Sequence, residues 1–185
     1  MIRSLAAAIL LLAPIPAAAQ TTIDPSQGRL EILGTSRPAC VIGAPSSSVG
    51  TNMVFSQVGP SVGRIEIPVF VDGDARPRGG SIEVMLPVIC NAPHRVSIRS
   101  EGGALRREGP AVPAGPFAEA VPYEVAAFWA GRQSAGGSGA GPVTIDSNAA
   151  RIGDVSVRVN VAAGGQPLVS GTYLDRIVVE LQAAN

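Results

Sequence analysis

Lysine is absent from this sequence, histidine occurs once, cysteine twice, and aromatic residues make up only 4% of it. Each shortage closes off a class of function. A Ser-His-Asp triad has a single histidine to draw on. That residue, His94, follows Pro93 at the mouth of an expected strand, where solvent exposure is the expected role. The serine of "GGSGAG" lacks the last glycine of G-x-S-x-G, because Ala140 stands there, and no glycine run matches G-x-G-x-x-G or a P-loop. Glu66, Glu83, Glu124 and Glu180 each alternate with apolar residues, the placement of a solvent-facing row, and nothing singles out a catalytic pair. Neither cysteine belongs to a CxxC, so His94 alone would have to complete a metal site. An enzyme is therefore not expected, nor a cofactor or bound metal. With 15% charged residues and no net charge, the chain also lacks the basic surface that nucleic acid or anionic lipid demands.

What is present begins with a targeting pattern. Arg3 supplies a short basic region, and Leu5 to Leu12 is an apolar run too short to span a bilayer as an ordinary helix. Pro14 and Pro16 interrupt it, and Ala17-x-Ala19 offers the small residues a signal peptidase reads. Residues 1–19 are predicted to be a signal peptide and the mature chain to begin at Gln20. No later stretch is long and apolar enough for a membrane helix, so export without an integral membrane segment is expected. In an oxidising compartment Cys40 and Cys90 are expected to form a disulfide.

Beyond the leader, strand periodicity dominates. "RLEIL" puts Leu30 and Ile32 on one side, and "RIEIPVFV" aligns Ile65, Ile67, Val69 and Val71, with Pro68 marking an edge or bend. "SIEVMLPVIC" places Ile82, Val84, Leu86, Val88 and Cys90 inward. "RVSIRS" adds Val96 and Ile98, and "VPYEVAAFW" aligns Val121, Tyr123, Val125, Ala127 and Trp129. "DVSVRVNV" alternates Val155, Val157, Val159 and Val161 with polar residues. Residues 72–80, 108–116 and 135–142 read as breaks, the last as a mobile linker-like loop. Asp72 and Asp74 share a turn, with an Asx-turn preferred over a calcium site. Eight to ten short strands with turn signals between them predict an antiparallel sandwich.

The final strand, "GTYLDRIVVELQAAN", raises its own question. Tyr173, Ile177, Val179 and Leu181 alternate as a core strand should, yet the sequence ends soon afterwards. What pairs with the strand's far edge is left open by the residues alone. Asp175 falls on the same inward face. Either the strand enters the core only after it, or backbone amides or an arginine satisfy the carboxylate; a structural role is expected rather than a catalytic one.

The order "RLEILGTSRPACVI", "SIEVMLPVIC", "VPYEVAAFW" and "SGTYLDRIVVEL" resembles the spore coat protein U domain, the family that includes archaic chaperone–usher pilins. The resemblance covers essentially the whole mature chain. Its most specific element is Gly171-x-Tyr173-x-Asp175 followed by Ile177, Val179 and Leu181. Phe55 is followed by Ser56 where the family often has Phe-Gly. The resemblance implies an all-β, incomplete immunoglobulin-like antiparallel sandwich with one disulfide, lacking its final strand, over residues 38–185. Residues 20–37 would then be a candidate donor segment carrying Ile23, Leu30 and Ile32, although Pro25 interrupts it. Tyr173, Asp175, Ile177, Val179 and Leu181 would border the acceptor groove. The implied partners are a periplasmic pilus chaperone, an outer-membrane usher and other pilin subunits. The implied function is that of a structural subunit of a surface fimbria in adhesion or biofilm formation. The alternative is a self-complete secreted sandwich that binds a carbohydrate or protein ligand.

Overall fold

A computed structural model describes residues 31–111 and 115–184. The chain divides into two units, and all the described strands lie in the second, Ser36–Asn185. Residues 31–35 fall outside it and in no strand, so the expected "RLEIL" strand is not formed over 31–33, and Ile32 and Leu33 are exposed.

Among the described residues there is no helix. The strands are β1 (Cys40–Ile42), β2 (Ser46–Ser47), β3 (Val54–Gly59), β4 (Val62–Glu66), β5 (Gly80–Cys90), β6 (His94–Ser100) and β7 (Leu105–Arg107). They continue as β8 (Ala120–Val121), β9 (Glu124–Trp129), β10 (Arg132–Gly137), β11 (Val143–Ser147), β12 (Arg151–Val161), β13 (Tyr173–Leu174) and β14 (Ile177–Ala183). The count exceeds the expected eight to ten because bends cut off pieces of two or three residues.

All pairings between these strands are antiparallel. The largest sheet runs β1-β5-β12-β9-β10, with β2 also on β5, and a second runs β11-β6-β14. A small sheet β13-β7-β8 and the hairpin β3-β4 complete the set. One hydrophobic cluster draws on both larger sheets: Val88, Val125 and Val155 from the first, Val96, Ile98 and Ile145 from the second. The inward rows read from "SIEVMLPVIC", "RVSIRS", "VPYEVAAFW" and "DVSVRVNV" are all buried. Period-two burial is what a sheet packed on one face requires.

Two stretches depart from expectation. Strand β4 stops at Glu66, because Pro68 has no amide to donate, and the alternation then slips by one. Phe70 packs inward against Tyr173, ring centroids 5.2 Å apart, while Val69 and Val71 are exposed. Asn52 stitches this bend. Its amide nitrogen donates to the carbonyls of Val69 and Gly79 at 2.8 and 2.7 Å. Nor is 135–142 a mobile loop. Ala135–Gly137 pair with Glu124–Ala126, and Ser138 is buried, its hydroxyl donating to the Gly103 carbonyl at 2.7 Å and accepting from the Tyr123 amide. Small residues there permit close packing rather than freedom. The turn at 72–76 is an Asx-turn, with Asp72 Oδ1 accepting from the amides of Asp74 and Arg76 at 2.9 Å each.

Candidate functional site: the open edge of the terminal strand

The terminal segment divides in two. Tyr173 and Leu174 pair with Arg107 and Arg106, and after Asp175 and Arg176 the chain joins another sheet, where among the described residues β14 pairs with β6 alone. Strand β1 comes beside β14 without pairing with it.

Backbone geometry identifies the groups along the free edge. Arg176 and Ala184 are hydrogen-bonded to the strand side of β6, Glu101 N–H donating to the Arg176 carbonyl at 2.9 Å and Ala184 N–H to the Pro93 carbonyl at 2.8 Å. Hydrogen-bonded pairs alternate along an antiparallel ladder. The N–H and C=O groups of Ile177, Val179, Leu181 and Ala183 therefore point away from β6, and among the described residues no strand meets them. Their side chains face the core but are only half-buried. Their register partners, Ile98 opposite Val179 and Val96 opposite Leu181, are almost wholly buried. A half-buried apolar row beside backbone groups that meet no strand among the described residues is the geometry that strand addition uses.

The corner before β14 is tightly held. Asp175 Oδ1 accepts from the amides of Gly102 and Arg176 at 2.7 Å each, and Oδ2 from the hydroxyls of Ser100 and Tyr123, the latter at 2.7 Å. Backbone amides and hydroxyls thus satisfy the carboxylate, not an arginine side chain. Burial disfavours its charge, but these four donors outweigh that and hold the carboxyl below its ordinary range. Burial pushes the Tyr123 hydroxyl the other way, with the Asp175 charge adding to it, so the phenol stays a donor. The rest of the motif is structural as well. Tyr173 OH lies 3.0 and 2.8 Å from the carbonyls of Ala118 and Val169. Gly171, at φ +149°, sits where a Cβ would come within 3.0 Å of Arg107 Cγ.

At the other end of β14, Ala183 pairs with His94. The exposure expected of this histidine is wrong: it is 3% exposed. Its Nε2 accepts from Trp129 Nε1–H at 2.8 Å, which leaves the Nδ1 proton for the Ala92 carbonyl at 2.9 Å. The Trp129 indole that occupies the ring is 35 residues away in sequence, out of reach of a local reading. Cys40 and Cys90 face each other across β1 and β5 and form a disulfide. Their sulfurs and a ring nitrogen of His94 lie within 4.8 Å of one another, but the disulfide uses both thiols, so no thiolate is left for a metal.

Of the site residues read from the sequence, Ile177, Val179 and Leu181 lie on the core-facing side of β14, Tyr173 lies in the β13-β7-β8 sheet, and Asp175 sits in the corner between the two. Ile23 and Leu30 lie outside the described residues, and Ile32 is exposed in no strand. The free-edge amides, Ser100, Tyr123 and His94 were not singled out for these roles. Only the inward carboxylate at Asp175 hinted at such a network. No family model matches the chain, and no curated protein matches its sequence.

Proposed function

We propose that this protein is an exported structural subunit of a surface fimbria whose β14 edge receives a strand from another polypeptide. The observation that carries the reading is the free edge itself: the outward amides of Ile177, Val179, Leu181 and Ala183 beside a half-buried apolar row. Sheet order supports it. The succession β1-β5-β12-β9 opposite β6-β14 follows the A-B-E-D and C-F order of a seven-stranded immunoglobulin-like sandwich. In that plan the seventh strand lies beside F, on the free side of β14. A periplasmic chaperone would cover this edge first, and at an outer-membrane usher the N-terminal segment of the next subunit would replace it. Ile23, Leu30 and Ile32 are the candidate donors, and the exposure of Ile32 outside any strand suits a segment that pairs with another molecule.

Periplasmic expression of the mature chain, with and without a candidate chaperone, tests the reading through yield and mass in solution. Degradation alone and a soluble one-to-one complex with the chaperone is the expected outcome. A stable oxidised monomer alone would replace it with the self-complete, ligand-binding sandwich. Charged substitutions at Leu30 and Ile32 should abolish subunit–subunit assembly and leave chaperone binding intact. Persistent assembly would remove those residues as donors.

A further inference from the structure

The outward face of the largest sheet carries a second feature, independent of the open edge. Strands β12 and β9 are paired on both sides, so their backbone groups are committed and this face can recognise a partner only through side chains. Register aligns the outward residues in rows. Arg158 stands beside Ala126 and then Ala135, and Asn160 beside Glu124 and then Gly137. Alanine and glycine at successive positions lower the floor, producing a depression of about 530 Å³. It continues past Ala126 and Arg158 into a smaller hollow of about 200 Å³ bordered by Phe128 and Gln133.

The lining chemistry narrows the ligand. Glu83 and Arg158 neutralise each other at 3.1 Å, leaving Glu124 as the one unpaired charge of the lining. A polyanion finds no unspent cation here. A greasy ligand finds only a half-apolar lining, where small-molecule pockets of the usual kind are mostly apolar. Glu124, Gln133 and Asn160 have side chains with no hydrogen-bond partner among the described residues, and between them they offer both donors and acceptors. Phe128 leaves 52% of its surface in water beside them. An open aromatic ring flanked by planar amides and a carboxylate matches a sugar, which has an apolar C–H face and hydroxyls at its rim. The two hollows follow one another along the strands, from Glu124 and Asn160 past Ala126 and Arg158 to Phe128 and Gln133, so the lining is an elongated trough about 14 Å long. An elongated trough suits an extended chain over a helical one.

We infer that this face binds an uncharged, extended β-1,4-linked oligosaccharide, with Phe128 against the sugar face and Asn160, Glu124 and Gln133 on its hydroxyls. The test uses the oxidised mature chain in the soluble form that periplasmic expression gives. Saturation-transfer NMR is recorded on cellotetraose and chitotetraose, with the helical isomer maltotetraose as the shape control. Gly137→Leu fills the floor without disturbing the fold, since a Cβ there meets nothing within 4 Å. Phe128→Ala removes the ring. The expected result is transfer to cellotetraose or chitotetraose and not to maltotetraose, with affinity reduced about tenfold or more by either substitution and the melting temperature unchanged by Gly137→Leu. Silence from both β-linked probes overturns the inference. So does equal binding of maltotetraose, or binding that neither substitution weakens. None of these results depends on whether β14 accepts a strand.

Discussion

Strands β12 and β14 have similar alternating sequences and opposite surroundings. Val155, Val157, Val159 and Val161 are 0–6% exposed, with β5 on one side of their strand and β9 on the other. Ile177, Val179 and Leu181 are equally apolar and point to the same core, but they are half-buried, β14 having a neighbour on one side only among the described residues. Alternation tells which face of a strand meets the core. It does not tell how many strands flank it, which depends on residues far away in the chain. The difference between the two strands is therefore where a binding function can reside.

The comparison can be broken or sharpened in several ways. The largest effect is expected from removing the Cys40–Cys90 bridge, which secures β1 to the interior sheet near β14. On the chain-entropy model, Cys40→Ser with Cys90→Ser should cost ~4 kcal/mol in urea unfolding. Next comes the corner that aims β14. Asp175→Ala strands the Tyr123 and Ser100 hydroxyls and the Gly102 amide, and should cost about 3 kcal/mol. Because the folded-state pKa of Asp175 lies below the ordinary carboxyl value of 3.8, its stabilisation is complete above that value and is lost as pH falls through the lowered one. The stability gap between wild type and Asp175→Asn, measured along an acid titration, should hold from neutral pH down to that range and then shrink.

Smaller effects address the two strands directly. Val157→Ala should cost about 2–3 kcal/mol and Val179→Ala about half that. A synthetic strand bound at the edge should bring the second value up towards the first; equal losses without it would mean that the edge is already covered. The last prediction changes no free energy at all. In hydrogen exchange, the amides of Ile177, Val179, Leu181 and Ala183 should exchange fast, and those of Val178, Glu180 and Gln182 slowly. Adding a donor strand should slow the first group alone.

Much of the fold was legible in the sequence. Clean alternation at 82–90, 121–129 and 155–161 identified the inner rows, since burying one face of a sheet imposes that period whatever the topology. The signal failed where one residue changes the rule. Pro68 ended a strand and shifted the phase that had placed Val69 and Val71 inward. Gly136 and Gly137 looked like linker and were strand, because composition cannot distinguish flexibility from close packing. The inner row of β11, Val143 and Ile145, went unnoticed behind that same misreading. For the site, the alternation picked out the core-facing residues Ile177, Val179 and Leu181 and marked Asp175 as unusual, but not the change of sheet between Tyr173 and Ile177. It could not reveal that Ser100, Tyr123 and Gly102, distant in the chain, would supply the carboxylate's donors.

The buried Trp129–His94 contact also has an optical consequence. Trp129 is the only tryptophan, and its indole N–H is bonded to the residue that pairs with Ala183 at the end of β14. Tryptophan emission from this protein therefore comes from one ring, hydrogen-bonded to the strand that pairs with β14. Its emission reads global unfolding as a red shift, and a subtler change in intensity would time the arrival of a strand beside Ala183 without any added label.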